Sequence, residues 1–212
     1  MNRRYFQQLC ALVALAGASL LAGPVLAADE AAEALIKRLS TEVLDSIRAD
    51  KAIQAGDVNR IITLVDTKIM PNVNFQRMTA SAVGPGWRQA TPEQQKRLQE
   101  EFKTLLVRTY AGALTQVSDQ TITVKPMRAA AEDKEVVVRT EVRGQGDAIQ
   151  LDYRLEKTPG EGAGWKIYNL NVLGVWLVET YRSQFAQEIN AKGLNGLITT
   201  LTERNKANAK RS

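Results

Sequence analysis

Carboxylate and tyrosine side chains are the groups in this sequence most able to do chemistry, because the chain contains no histidine. Without histidine, Ser-His-Asp and Cys-His nucleophiles cannot form, and zinc sites built on histidine are excluded. The glycine patterns of phosphate-binding loops and the GxSxG pattern are also absent from the sequence. An enzyme built on this chain would depend on carboxylate, lysine or tyrosine chemistry.

One set of such groups, Asp152, Tyr153 and Tyr168, falls in segments with the alternating pattern of strands. A buried carboxylate beside tyrosines is able to transfer protons, so this set defines an enzymatic hypothesis. The alternation places Asp152 on the charged face of its strand, away from the apolar face. The sequence therefore favours a container for an apolar ligand over a catalyst, and we assign no catalytic and no metal-binding residue.

The N-terminal segment is typical of a cleaved secretory signal. It begins MNRRYFQQ, continues with an apolar run over residues 9–21, and reaches small residues at the expected cleavage point after Ala27. The run is shorter than the roughly 20 residues that span a bilayer. We expect residues 1–27 to be removed on export, by the Sec route or, because Arg3-Arg4 resembles a twin-arginine signal, by the twin-arginine route.

Export leaves a chain that must be stabilised by packing. Its only cysteine, Cys10, lies in the expected signal, so no disulfide can form in the mature protein. Removal of Arg3 and Arg4 lowers the formal net charge from +5 to +3, which does not indicate nucleic-acid binding. No second apolar stretch reaches spanning length, so we expect one soluble domain.

Apolar spacing predicts helices on both sides of a group of strands. Leucine, valine and isoleucine recur at helical spacing from Ala31 to about Asp50 and again from Val58 until Pro71. TPEQ at residues 91–94 is the start signal of a third, longer helix.

From Asp119 onward the period changes to two, which predicts four antiparallel strands, the last of them in the apolar segment that begins at Gly164. Gly174 is predicted to lead into a helix that ends near Gly193, followed by a last helix. Residues 204–212 are predicted to be a disordered basic tail. The fold class is therefore α+β, with helices before and after a curved four-stranded sheet and covering its apolar face.

The alternation also assigns the two faces of the sheet. Val136, Val138, Thr140 and Val142 share one face with Ile149, Leu151, Tyr153 and Leu155. The opposite face carries mostly charged side chains, among them Glu135, Arg139, Glu141, Arg143, Asp152, Arg154 and Glu156. Ordinary core packing explains an apolar face as readily as a ligand cavity does. Aromatic residues with a polar tip, as at residues 164–185, suit the mouth of an apolar pocket.

Six blocks of sequence follow one another in a fixed order: residues 70–78, 86–94, 102–110, 164–168, 174–185 and 193–201, including GWRQATPEQ, LLVRTY and GWKIY. In these blocks, and over nearly the whole mature chain, the sequence resembles the MlaC family of periplasmic phospholipid-binding proteins, also called toluene-tolerance proteins. It departs from the family at Asn74 and Asn169, where Asp is frequent, and at Trp176, where Ser is frequent.

The resemblance implies a single domain of NTF2-like cone shape, mainly helical over residues 28–95 and NTF2-like over residues 96–203, that encloses an apolar lipid cavity. It implies a periplasmic monomer that carries phospholipid as cargo, without a cofactor. The implied partners are an outer-membrane lipoprotein complex and an inner-membrane ABC transporter with an MCE-domain subunit, with transient proximity to the membrane. The implied role is to shuttle lipid between the membranes and so maintain outer-membrane lipid asymmetry.

Combined with the predicted faces, the resemblance gives a set of lipid-binding candidates. The lining is predicted to comprise Leu105, Tyr110, Val136, Val138, Leu151, Tyr153, Ile167, Leu170, Val172 and Val175. Trp176 narrows the cavity if it points inward and contacts a partner or a membrane if it points outward. Arg182, beside Tyr181, is predicted to contact the headgroup phosphate. A third hypothesis, an adaptor without ligand, predicts a completely filled core.

Overall fold

The chain folds as helices packed around a five-stranded antiparallel sheet with the strand order β1-β2-β3-β4-β5. The computed structural model describes residues 30–130 and 132–210, so the expected signal, residues 1–27, lies outside the described residues. The strands are β1 (Thr121–Val124), β2 (Glu135–Arg143), β3 (Ile149–Lys157), β4 (Trp165–Val172) and β5 (Val175–Trp176). The helices are α1 (Ala32–Ala49), α2 (Lys51–Gln54), α3 (Val58–Leu64), α4 (Phe75–Val83), α5 (Pro92–Leu114) and α6 (Leu177–Ala209).

Side-chain caps define where several helices begin. The Asp57 carboxylate accepts hydrogen bonds from the backbone N–H groups at the start of α3. Thr91 and Gln94 form the reciprocal hydrogen bonds of a capping box at the start of α5, which confirms the start predicted there. Between α3 and α4, a π-helical turn (Val65–Ile69) and a 3-10 turn (Met70–Asn72) surround Pro71, whose ring cannot continue the helix. None of the described helices is long and apolar enough to cross a membrane.

The predicted α+β class is confirmed, but the sheet has five strands rather than four. Leu173 and Gly174 have φ angles of 51° and 88° and reverse the chain in two residues. The chain then pairs back onto β4, with Val175 opposite Val172 and Trp176 opposite Asn171. Gly174 therefore leads into a fifth strand, and α6 begins only at Leu177. A two-residue turn with positive φ at both positions joins antiparallel strands well because its twist matches theirs.

The predicted faces of β2 are confirmed by its burial. Val136, Val138 and Thr140 are buried, whereas Glu135 and Arg139, on the other face, are exposed. We call the face that carries Val138 the inner face and the face that carries Arg139 the outer face.

The core consists of three packed clusters. The first, the helical core, joins α4, α5 and α6 around four aromatic rings: Phe75, Phe102, Tyr181 and Phe185. The second joins α1 to the inner face of β2, β3 and β4. The third joins α1, α2 and α3 to the last turns of α5 through Ile47, Ile61 and Val107. Helix α5 contributes to the first and third clusters, and α1 contributes to the second and third. These two helices therefore position the sheet.

Helix α6 is a hairpin of two arms that meet at Gly193, whose φ of 69° is non-helical, at the position predicted from the sequence. The arms are antiparallel, because Thr200 donates a hydrogen bond to Glu188 and Arg204 donates one to Gln184. The second arm runs to Ala209, so the predicted disordered tail is wrong for residues 204–209.

The reason for that helical extension is a contact with α5. Asn205 is buried, and its Nδ2 donates hydrogen bonds to the backbone oxygen and the carboxylate of Glu101, at 2.9 and 2.6 Å. The polar, basic sequence of residues 204–212 did not indicate this contact, because the contact depends on the Glu101 carboxylate, 104 positions earlier in the chain. Because a buried amide N–H requires an acceptor, the hydrogen bonds from Asn205 Nδ2 hold the end of α6 against α5.

Candidate functional site

The inner face of the sheet is divided into two halves by what covers it. Over one half, which we call the sealed half, α1 packs directly onto the strands through Leu35, Ile36 and Leu39. The strand residues beneath are buried: Val136, Val138, Leu155, Trp165 and Ile167. Because these side chains are already enclosed by protein atoms, the sealed half is ordinary core.

Over the other half, the same face keeps accessible surface. Leu151, Tyr153, Leu170 and Val172 are only partly buried, although they lie in the central strands of the sheet. We call these four residues the open half. These residues are only partly covered: Tyr153 packs against the cluster that contains α1, and Leu170 and Val172 pack against the helical core. The surface that they keep accessible is apolar and lies on the inner face.

Helix α5 and the open half meet at the helical core. Leu106 and Tyr110 of α5 are partly buried and pack against this core, as Leu170 and Val172 do. Leu106 was not among the residues predicted from the sequence. Its spacing of four from Tyr110 places both side chains on one face of α5, which is the signal that could have identified it.

The tyrosines of this region lie in surroundings of low polarity. Burial raises the pKa of Tyr153, and the hydroxyls of Ser40 and Thr140 oppose that shift by hydrogen bonding to it. Burial likewise raises the pKa of Tyr110. These phenols stay uncharged at neutral pH, since even their ordinary pKa is near 10. The site therefore presents uncharged apolar surface, which suits a hydrocarbon ligand better than an ionic one.

The residues predicted to bind lipid are distributed over four places. Tyr110 lies beside the open half, which contains four others, Leu151, Tyr153, Leu170 and Val172. Val136, Val138 and Ile167 lie in the sealed half, and Leu105 and Tyr181 are buried in the helical core. Val175 is 51% exposed at the rim of the sheet, next to Val172. The structure thus brings half of the predicted lining together and separates it from the rest.

Trp176 lies on the outer face, so the inward orientation, in which it would narrow the cavity, is wrong. It pairs with Asn171, and the guanidinium of Arg154 lies 4.0 Å from the centre of its ring. The two-residue turn decides this, because it places Val175 opposite Val172, on the inner face. Side chains alternate between the two faces along a strand, so the next residue, Trp176, must point outward. Of the two alternatives for Trp176, the outward orientation is therefore correct.

Arg182 is exposed on the first arm of α6. Its guanidinium lies along the end of α4, where a methyl group at Gly84 would be 3.6 Å from Nε. Tyr181, its neighbour in sequence, points into the helical core and stacks on Phe102 at 4.9 Å between ring centres. Arg182 is thus accessible to an anion at the surface, whereas Tyr181 is not.

The residues of the enzymatic hypothesis do not converge. Tyr153 is on the inner face, whereas Asp152 is on the outer face and accepts a hydrogen bond from Gln150. Tyr168 is also on the outer face, where its hydroxyl donates to Glu135 at 2.9 Å. Among residues 30–130 and 132–210, no group of His, Cys, Asp and Glu is arranged to hold a metal ion.

The family model described as MlaC protein matches residues 37–203 of the chain. The chain belongs to the MlaC family. It is 31% identical over 169 residues to toluene tolerance protein Ttg2D of Pseudomonas putida, covering 79% of this chain and 76% of that one. It is 23% identical over 170 residues to the intermembrane phospholipid transport system binding protein MlaC of Haemophilus influenzae, with coverage of 80% and 79%.

A solved structure extends this result to the fold. The phospholipid-binding protein from Ralstonia solanacearum, determined in complex with a phospholipid, superposes with a TM-score of 0.80. The two chains are 47% identical, and the match covers 84% of this chain and 98% of that one.

Asn74 and Asn169 both form hydrogen bonds with carboxylates near the outer face. Asn74 caps α4 by accepting from Arg77 N, and its Nδ2 donates to Glu156 at 2.6 Å. Asn169 accepts from Val178 N at the start of α6 while its Nδ2 donates to Glu179 at 2.8 Å. In each case the amide is both acceptor and donor. An Asp at either position would place two carboxylates side by side, so the amide suits these partners.

In this MlaC-family protein, Arg77 ties α4 to the outer face of the sheet. Its guanidinium lies 3.6 Å from the centre of the Tyr168 ring and forms ion pairs with Glu135 and Glu156, each at 2.5 Å. Hydrogen bonds from Arg77 and Tyr168 lower the pKa of Glu135 below its ordinary value. At Glu179 burial opposes ionisation, but the hydrogen bonds from Asn169 and Arg154 outweigh it, so that pKa is lowered as well.

These lowered pKa values predict an acid-sensitive fold. A carboxylate with a depressed folded-state pKa contributes stability above its unfolded pKa of about 4.3, and that contribution is lost as pH falls through the folded pKa. We expect Arg77→Met to cost roughly 1 kcal/mol of unfolding free energy at pH 7 and less at pH 3, because the ion pairs are partly exposed. Urea unfolding of both proteins at pH 7, 5 and 3 measures this difference.

Arg38→Met is the matched control. Arg38 also bridges two glutamates, Glu30 and Glu42, but on the exposed surface of α1. It should change stability by less than Arg77→Met. A destabilisation by Arg77→Met that stays constant from pH 7 to pH 3 would show that Arg77 acts through packing alone.

Proposed function

We propose that this protein is a phospholipid carrier that holds acyl chains between the open half of the sheet and α5. The observation that carries the proposal is the accessible apolar surface of Leu151, Tyr153, Leu170 and Val172 in the interior of the sheet. Family membership supports the proposal, as does the phospholipid bound to the Ralstonia protein at 47% identity.

The chemistry of the open half fits an acyl chain. Each CH₂ group removed from water contributes about 0.8 kcal/mol, so a hydrocarbon tail is retained by apolar contact without polar recognition. The Tyr153 hydroxyl is already engaged by Ser40 and Thr140 and does not require a polar partner from the ligand. The space would therefore accept tails of different lengths with little dependence on their chemistry.

The headgroup would remain at the surface. A phosphate is stabilised by a guanidinium that is not already neutralised by a carboxylate. Arg182 is exposed and belongs to none of the ion pairs seen in residues 30–130 and 132–210, so it is the proposed phosphate contact. Among the other predicted residues, Val136, Val138 and Ile167 would support the cavity from the sealed half rather than contact the lipid.

The cellular role follows from the family and from the signal expected at residues 1–27. In this proposal the protein is exported to the periplasm and moves phospholipid between an outer-membrane lipoprotein complex and an inner-membrane ABC transporter with an MCE-domain subunit. It acts as a monomer, needs no cofactor, and contributes to outer-membrane lipid asymmetry.

The test is the lipid content of the protein purified without added detergent. We expect organic extraction and mass spectrometry to release phospholipid, and native mass spectrometry to show about one lipid per chain. The mass of the lipid gives the number of acyl chains. Folded protein that is reproducibly free of lipid would contradict the proposal and favour the adaptor hypothesis.

A further inference from the structure

The turn between β4 and β5 contains an unusual residue. Leu173 has a φ of 51° and is the only non-glycine residue with positive φ in residues 30–130 and 132–210. At this position of a two-residue turn, Asn or Gly is strongly preferred, because the left-handed conformation brings a Cβ too close to the backbone. The fold therefore tolerates a backbone cost at Leu173 that Asn would reduce.

The Leu173 side chain is 64% exposed, so most of its apolar surface is not buried within the protein. The other large hydrophobic residues that are exposed in the described part of the chain are Ile149 at 42% and Val175 at 51%. All three lie at one end of the sheet. Leu173 N donates to the oxygen of Gln150, next to Ile149, and Val175 follows the turn directly. We call Ile149, Leu173 and Val175 the apolar tip.

The apolar tip is continuous with the open half. Val175 pairs with Val172, and Val172 pairs with Leu151, so one row of apolar side chains crosses three strands on the inner face. Ile149 lies two residues from Leu151 on the same face of β3. A hydrocarbon chain leaving the open half along this row would meet only apolar surface.

The two stretches that form the tip contain no charged residue: AIQL at residues 148–151 and NVLGVWLV at residues 171–178. Charged residues begin at its border, with Asp147 before the first stretch and Glu179 after the second. A protein partner is usually positioned by charged and hydrogen-bonding groups around its contact, whereas a bilayer needs only exposed apolar side chains. Trp176 follows Val175 of the tip directly, and tryptophan is enriched where membranes meet water.

We propose that the apolar tip inserts into the surface of a phospholipid bilayer and provides the path by which an acyl chain enters or leaves the open half. The proposal rests on the carrier function proposed above, and it adds a contact with the bilayer that surrounds the two membrane complexes proposed as partners. Because only three side chains take part, the contact is weak and reversible, as a carrier requires.

The variant that separates this role from a structural one is Leu173→Asn. Asn adopts the left-handed conformation more readily than Leu, so the melting temperature should stay the same or rise. Association with phosphatidylethanolamine–phosphatidylglycerol vesicles should fall about tenfold, because the inserted side chain is lost. The transfer rate of a fluorescent phospholipid from protein to vesicle should fall in parallel. Ile149→Thr, which keeps a β-branched residue in the strand, should act in the same direction.

Val137→Thr is the matched control, because it makes a similar change on the outer face of β2. It should leave vesicle association unchanged. The phospholipid bound to each purified variant is measured first. Absence of lipid from the unsubstituted protein would contradict the carrier function itself. Normal lipid content combined with unchanged vesicle association and transfer in Leu173→Asn would overturn the tip proposal alone. Wild-type protein that never associates with vesicles would overturn it too and would favour a protein acceptor.

Discussion

Leu170→Asp is expected to reduce the phospholipid bound to the purified protein to less than about a tenth of the normal amount. Leu170 lies in the open half and packs against the helical core, as Leu106 and Tyr110 of α5 do. A carboxylate there would lie among apolar side chains, and burying it beside a bound tail costs several kcal/mol. Phosphorus analysis of protein purified without detergent, with native mass spectrometry, measures the loss.

The control for Leu170→Asp places the same residue on the other face of the sheet. Val137 lies on the outer face, with Arg154 as its strand partner. Val137→Asp should therefore keep its lipid. Melting curves of both variants show whether the fold survives. Full lipid occupancy in folded Leu170→Asp would mean that the tails lie elsewhere, and the proposed site would be wrong.

Phe102→Ala is expected to lower the free energy of unfolding by about 3–5 kcal/mol. The Phe102 side chain is completely buried, and its ring centre is 4.9 Å from that of Tyr181, 5.2 Å from that of Phe185 and 5.7 Å from that of Phe75. Removing it leaves a cavity among three rings held by two other helices, α4 and α6, and such a cavity cannot easily close. Urea unfolding followed by circular dichroism measures the change.

Phe102→Leu provides the comparison for this loss. It keeps most of the buried apolar volume and should cost only about 1–2 kcal/mol. If Phe102→Ala cost less than about 1 kcal/mol, the helical core would not be what holds α4, α5 and α6 together. Since α5 also bounds the open half, the stability of this core and the shape of the proposed site depend on one helix.

The division of the sheet into two halves connects these predictions. Where α1 covers the inner face, the strands form core, and a polar substitution would act on stability. Where the face is uncovered, the same substitution would act on ligand binding. Measuring both quantities for each variant distinguishes the two halves, and Val138→Asp in the sealed half is the natural counterpart of Leu170→Asp.

The sequence by itself determined much of the local structure. Alternation assigned the faces of β2, because a strand turns its side chains to opposite sides at every residue. The Thr91 capping box and the break at Gly193 were predicted because each depends on residues within one turn of the helix. Six blocks in the right order were enough to indicate the MlaC family.

Only the tertiary structure decided which residues form the site. Periodicity made Val138 and Leu170 equal candidates, and their difference comes from α1, about a hundred residues earlier, which packs on one and not on the other. The turn at Leu173 set the outward direction of Trp176, and the Glu101 carboxylate fixed Asn205 in a helix. Spacing along a chain encodes which side of an element is apolar, but which element covers that side depends on packing between distant segments.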